Sequence, residues 1–268
     1  MAVKLLVVGP RGKMGRALIE CAVETPDIEV VGAVGPKGRD YIGVDLGLLM
    51  GLGRPLGARV SDDIYDIIRE SDTVIECTLP AVSMQVLNAC LEHGRAFVTG
   101  TTGFSSQQTA RLEQAGATIP VLHASNGSPI VHLLYDLVGR ISQTVGTDAD
   151  IDIIEMHANT KLDAPSGTAI EIGQVISESV GIDLEESARY DGSRIGNRES
   201  DAIYFTSVRS GGTPSTHRVV FGFENERLEL THYAYNAGAF AKGLIQGALF
   251  ISGKSSGHYG LEEVFGDT

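Results

Sequence analysis

Between Glu155 and Gly173 the chain reads EMHANTKLDAPSGTAIEIG, which brings a histidine, a lysine and a Pro-Ser-Gly turn close together. Pro165 is excluded from a helix interior but is welcome at or just before its first turn. Ser166 and Thr168 are good capping types, and Gly167 allows a ligand to come near. Ala169, Ile172, Val175, Ile176 and Val180 then recur on one helical face. The pattern predicts a helix whose N-terminus turns the amides and hydroxyls of Ser166, Gly167 and Thr168 outward, a site for a carboxylate or phosphate. Lys161 lies close enough upstream to add a full positive charge. His157 ends the alternating run DIDIIEM, where it can donate a proton near neutral pH. The plain alternative is a capped helix beside a surface lysine and a structural histidine. His93 at a helix end, His132 in an apolar helix and His258 in a late loop have such ordinary readings. So do His217 and His232, which flank or lie in strands and can bridge backbone groups; His232 is also a candidate for the cleft.

A second cluster lies at the start. VVGPRGKMGRALIE puts Gly9, Gly12 and Gly15 between an apolar run and a helical pattern. A strand-to-helix turn without Cβ atoms lets backbone approach a pyrophosphate at the helix N-terminus. The spacing is G-x-x-G-x-x-G, and its position after a strand and before a helix is what gives it weight over an ordinary βα turn. A dinucleotide site usually has an acid at the tip of the next strand, to hold ribose hydroxyls. Here IEVVGAV is followed by GPKGRD. Lys37 and Arg39 suit a 2′-phosphate and point to NADPH; Asp40 within reach of a ribose keeps NADH as the alternative. TGTTGF, with Gly100, Thr101 and Thr102, follows another strand, where small residues let a nicotinamide ring lie against backbone. ECTLP, Glu76 to Pro80, borders the same cleft.

These residues need elements to place them. Through about Asn126, apolar strands (VKLLVVG, IEVVGAVG, DTVIECT, AFVTG, IPVLHAS) alternate with helical patterns (KMGRALIECAVE, DIYDIIRES, AVSMQVLNACLEHG, SSQQTARLEQAG). That alternation predicts a doubly wound parallel sheet of Rossmann type. Afterwards PIVHLLYDLVGRISQTV reads as a helix, DIDIIEMH as a half-buried strand, and HRVVFGFEN with ERLELTHYAY as a hairpin, after a segment rich in charge and glycine. The expected fold class is α/β: a dinucleotide-binding domain over 1–127, completed by a C-terminal helix over 238–268, and an α+β substrate-binding and oligomerisation domain with a mixed sheet over 128–237.

Composition limits the function. Hydrophobic residues make up 43% and charged residues 21% of 268, with a net charge of −13. That profile is a soluble globular chain and argues against the basic face that nucleic acid or an anionic membrane needs, while leaving room for a local basic pocket that binds a small anion. No apolar run reaches spanning length. Met1 to Gly9 reads as a strand rather than a signal peptide. Cys21, Cys77 and Cys90 sit among apolar neighbours without metal-ligand spacing, so free thiols in a cytoplasmic protein and no metal are expected.

GPRGKMGR, VTGTTGF, EMHANTKLDAPSGTA and the closing ELTHYAYNAGAFAKGLIQGALFISGKSSGHYGLEEVFG together resemble the 4-hydroxy-tetrahydrodipicolinate (dihydrodipicolinate) reductases of lysine and diaminopimelate biosynthesis. The resemblance spans nearly the whole chain, and Lys161 to Ala169 is its most specific element. It implies an NAD(P)H-dependent reductase of a cyclic imine dicarboxylate, a homotetramer built through the second domain's sheets. It implies His157 as proton donor, Lys161 as catalytic lysine and Ser166, Gly167 and Thr168 as carboxylate grip. Gly9, Gly12, Lys13, Met14 and Gly15 match its pyrophosphate loop, and Gly100, Thr101 and Thr102 its nicotinamide-side loop. Substrate would enter between the domains, with closure excluding water. The chain departs from the family where Ala158 replaces a second histidine, Gly127 a phenylalanine, Asn236-Ala237 a serine-arginine pair and Tyr233 a basic residue, all at positions expected near substrate or cofactor. A divergent member reducing another small imino or oxo acid, and a non-catalytic NADPH-binding protein, are the rival readings.

Overall fold

The computed structural model describes residues 1–190 and 197–266, and divides into two compact units, Met1–Pro129 with Ala237–Thr268, and Ile130–Asn236. Part of the charge- and glycine-rich segment and the last two residues lie outside the described residues. Among those described, no helix is long and apolar enough to cross a membrane.

The first unit is built on parallel strands. β1 (Val3–Val8), β2 (Ile28–Val34), β3 (Arg59–Ser61), β4 (Thr73–Glu76), β5 (Ala96–Thr99), β6 (Pro120–His123) and β12 (Gly257–Tyr259) form one sheet in the order β12-β6-β5-β4-β1-β2-β3. Leu5 and Val7 of β1 point into one apolar cluster, with Leu18 and Ala22 of α1 (Lys13–Val23) and Leu244 and Ala248 of α8 (Gly238–Ser252). Leu6 and Val8 point into another, with Val86, Leu87 and Cys90 of α3 (Pro80–His93) and Leu112 of α4 (Ser106–Ala115). A strand covered on both faces has no polar side to show, so its sequence is a continuous apolar run.

Some expectations fail locally. The helix predicted over DIYDIIRES is two separate 3-10 turns, Ile64–Asp66 and Ile68–Glu70. Asp63 caps the first by accepting from the Tyr65 amide, and Ile67 between them leaves the helical region at φ −128°. Three β-branched isoleucines in five residues give little helix propensity to resist this. α2 (Leu46–Met50) and β3 are too short to show in a periodicity. The helix expected over 238–268 ends at Ser252; the chain then adds β12 beside β6 and the short α9 (Glu262–Phe265).

The second unit is a five-stranded mixed sheet, β11-β10-β7-β9-β8, of β7 (Asp150–His157), β8 (Ala188–Arg189), β9 (Ile203–Arg209), β10 (Ser215–Gly222) and β11 (Arg227–Ala234). β10 and β11 form the expected hairpin; β10 runs antiparallel to β7, and β9 parallel to it. One face carries Ile151, Ile153, Phe205, Val219 and Phe221, covered by Leu134 and Val138 of α5 (Pro129–Val145) and Ile172 and Ile176 of α6 (Gly167–Val180). α7 (Leu184–Ser187) precedes β8. The opposite face, with Ile154, Met156, Val220 and Tyr233, is partly exposed.

Candidate active site

In the second unit, strand register does the assembly. β7 alternates, so Glu155 and His157 share the covered face with Ile151 and Ile153. His217 on β10 lies opposite Glu155 and is itself opposite His232 on β11; Arg209 on β9 lies opposite His157. Four strands thus bring five polar side chains to one end of an otherwise apolar face. Glu155 is 1% exposed, and no water can satisfy it.

The Glu155 carboxylate is held from three directions. Arg209 donates to both oxygens at 2.7 Å, the Ser166 amide donates at 3.2 Å, and His157 Nδ1 lies 2.5 Å away. Arg209 also donates to the Asp163 carbonyl at 2.6 Å, fastening the loop that carries Lys161. Burial works against the Glu155 charge, but hydrogen bonds from Arg209, Ser207 and His157 outweigh it and bring the pKa down to about 2. The other nitrogen of His157, Nε2, is 2.7 Å from Ser215 Oγ. With Glu155 ionised, Nδ1 carries the proton toward it and Nε2 is the nitrogen that gains and loses one. Burial lowers the His157 pKa, Glu155 opposes that, and the charges of Lys161 and Arg209 add to the lowering.

Ser166 is the N-cap of α6, but its hydroxyl does not point outward as the sequence suggests. It is 2% exposed, accepts from the Ala169 amide at 3.2 Å and meets His217 Nε2 at 3.0 Å. A capping serine must turn toward its own helix, and here that turn also buries it. The outward part of the turn is Gly167, exposed, with Thr168 half-buried and hydrogen-bonded to Tyr135. Lys161 is 28% exposed and pairs with Asp163 at 2.9 Å. His217 and His232 do not simply bridge backbone groups. His217 bonds a side chain, packs edge-on to His157 at 5.3 Å and stacks on His232 at 6.3 Å. Burial first, then the neighbouring histidines, pushes its pKa down to about 3. Among the described residues, no group of acids, histidines and cysteines is placed to hold a metal.

In the first unit, Gly9, Gly12 and Gly15 close a tight βα turn. Gly9 has φ +80°, and a Cβ on Gly15 would overlap the Gly9 carbonyl oxygen. Helix and strand therefore meet at a distance only glycine permits. Gly12 is the N-cap of α1 with no side-chain cap and no acid in the first turn, so the amides near Lys13 and Met14 suit an anion. A cleft of about 820 Å³ opens beside this turn, lined by Gly9, Gly35, Lys37, Thr78, Leu79 and Val82 among others. Lys37 therefore reaches the cleft; Arg39 lies beyond it, and Asp62 and Asp63 line the same wall. Gly100, Thr101 and Thr102 follow β5. Thr101 is buried and its hydroxyl bonds the carboxylate of Glu76 at the end of β4; Thr102 is exposed. These residues fit a bound dinucleotide, in a cradle that Cβ atoms would fill.

Two departures from the resembled family are also packing positions. A Cβ on Gly127 would overlap the Phe240 carbonyl, and one on Gly243 would overlap the Gly127 carbonyl. Gly127 and Gly243 are thus matched, and a larger residue at 127 would push α8 away. Ala237 is buried at the N-cap of that helix. Ala158 accepts the Lys161 amide at 3.0 Å, closing the turn that carries the lysine, and Tyr233 stacks on Tyr235 at a half-open edge.

Comparison with known proteins agrees with this architecture. The model of the dihydrodipicolinate reductase N-terminus matches residues 3–127, and that of its C-terminus residues 130–265. A 4-hydroxy-tetrahydrodipicolinate reductase of Alkalilimnicola ehrlichii is 39% identical over 267 residues, 99% of this chain and all of the relative. That of Hahella chejuensis is 37% identical, covering 98% of both. Among solved structures, a dipicolinate-bound dihydrodipicolinate reductase from Paenisporosarcina sp. TG-14 superposes with a TM-score of 0.70 at 24% identity, over 98% of this chain and 99% of that one. The chain belongs to the dihydrodipicolinate reductase family.

Proposed function

We propose that the protein reduces a cyclic imine dicarboxylate of the 4-hydroxy-tetrahydrodipicolinate type with NAD(P)H, in diaminopimelate and lysine biosynthesis. The observation that carries the chemistry is the Glu155–His157–Ser215 chain set beside the α6 N-terminus and Lys161. Lys161 exchanges Asp163 for a substrate carboxylate, and the first amides of α6 complete the grip. Glu155, anchored by Arg209, fixes the imidazole so that Nε2 presents the proton. The Gly9–Gly15 turn holds pyrophosphate, with the Gly100–Thr102 loop on the nicotinamide side. When bound, the cofactor supplies hydride. NADPH is preferred, because Lys37 lines the cleft and no acid ends β2. The partly exposed face of the five-stranded sheet serves assembly into a homotetramer, and the enzyme works in the cytoplasm.

Imine-dependent oxidation of NADPH tests this reading. Wild type turns over the pathway imine, and Lys161→Ala loses roughly tenfold to a hundredfold in kcat/KM, the scale of one charge-assisted hydrogen bond. Ala158 favours a second reading, in which the substrate is another small cyclic imine or oxo acid. Turnover of such compounds but not of the pathway imine, with no gain in Ala158→His, would establish that reading instead.

A further inference from the structure

Glu76 is fully buried in the first unit and plays no part in the chemistry derived above. Its carboxylate sits at the end of β4 in a ring of hydroxyls. Thr78 donates from its amide at 2.8 Å and its hydroxyl at 2.6 Å, Thr101 at 2.9 Å, Ser83 at 2.7 Å, and Thr99 closes the ring. No Lys, Arg or His side chain pairs with it among the described residues. A buried charge is ordinarily matched by an opposite charge. Here only neutral donors surround it. The Thr101 and Thr99 hydroxyls already accept amides, from Thr78 and Thr101, so both turn their protons to the carboxylate; donors so arranged favour the ionised form and leave one net negative charge inside the sheet edge.

That charge lies directly beneath the residues read as the cofactor loops. Thr78, which bonds it, packs against Gly9; Thr101, which also bonds it, belongs to the Gly100–Thr102 loop, whose Gly100 amide donates to the Glu76 carbonyl at 2.9 Å. A nicotinamide ring is neutral when reduced and cationic when oxidised. We infer that Glu76 is the electrostatic counterpart of the oxidised ring: a fixed anion, unneutralised by any protein cation, that favours the positive charge appearing on the ring as hydride leaves. The inference rests on the reading of Gly100–Thr102 as the nicotinamide-side loop. Its role is positioning of charge, since Glu76 has no exposed atom with which to touch a ligand.

The test is the ratio of dissociation constants for NADP+ and NADPH, measured by equilibrium titration without substrate. Glu76→Gln keeps the shape and removes the charge, and rotatable hydroxyls can serve the new amide. It should weaken NADP+ relative to NADPH by about tenfold, the scale of one fixed charge acting through a protein interior. Ser83→Ala disturbs the packing and keeps the charge, and should leave the ratio unchanged. If Glu76→Gln does not fold, Glu76→Asp draws the charge back and should shift the ratio in the same direction by less. An unchanged ratio in Glu76→Gln or its substitute, or an equal shift in Ser83→Ala, overturns the inference while the cofactor reading stands. Failure of the wild type to bind either form overturns both.

Discussion

Each unit of the molecule buries one glutamate, and the two are stabilised by different means. Glu155 is matched by a guanidinium fork and an imidazole whose geometry is fixed by four strands. Glu76 is matched by hydroxyls on short side chains that can rotate. A charged partner gives more stabilisation when present and leaves a larger penalty when its counterpart is removed; a rotatable neutral donor gives less and adapts. The second unit therefore spends its polar burial on rigid orientation around His157, and the first on keeping a charge without neutralising it.

The comparison can be broken most forcefully by Glu155→Gln. It strands Arg209, whose side chain is only 19% exposed, and should cost about 3–5 kcal/mol in urea denaturation at pH 7. A loss no greater than that of Glu76→Gln would remove the distinction. Acid titration sharpens it next. Both His217 and Glu155 have folded pKa values below their unfolded ones, so each stabilises fully above its unfolded pKa and loses that contribution as pH falls. For His217 the window runs from the ordinary 6.5 down to about 3, and for Glu155 from 4.5 down to about 2. Between pH 7 and 5, wild type should lose about 2 kcal/mol through His217, and His217→Gln should make that limb shallower by this amount, the rest coming from His157 and His232, whose pKa values burial also lowers. Glu76→Gln should cost about 1 kcal/mol at pH 7, the net worth of a hydrogen bond whose donors can re-form others. Lys161→Ala should move stability least, by less than about 1 kcal/mol, because its ion pair with the 60%-exposed Asp163 is screened by solvent. A larger change there would mean that Lys161 belongs to the Glu155 cluster.

What could be read in the sequence divides along the same line. The apolar runs of the first unit, its glycine turn and the Ser166 cap are local patterns, and local patterns survive translation into structure. DIYDIIRES failed because its isoleucines satisfy a helical period without favouring helix. The partners of His157 were harder to see. Glu155 is two residues away on the same strand face and was legible in principle from alternation. Arg209, Ser215 and His217 come from strands 50 or more residues distant, and only the register of β7, β9 and β10 brings them together. That Gly127 packs against α8 was not legible, because nothing in the sequence pairs it with Gly243.

α8 and β12, which follow the second unit in sequence, supply one wall and one edge of the first unit. During synthesis, residues 1–129 emerge before 130–236 yet cannot close their core until α8 has emerged as well, whereas all of 130–236 is available before then. The segment before residue 130 thus finishes folding only after the segment that follows it, and a truncation that removed α8 would cripple the portion made earlier.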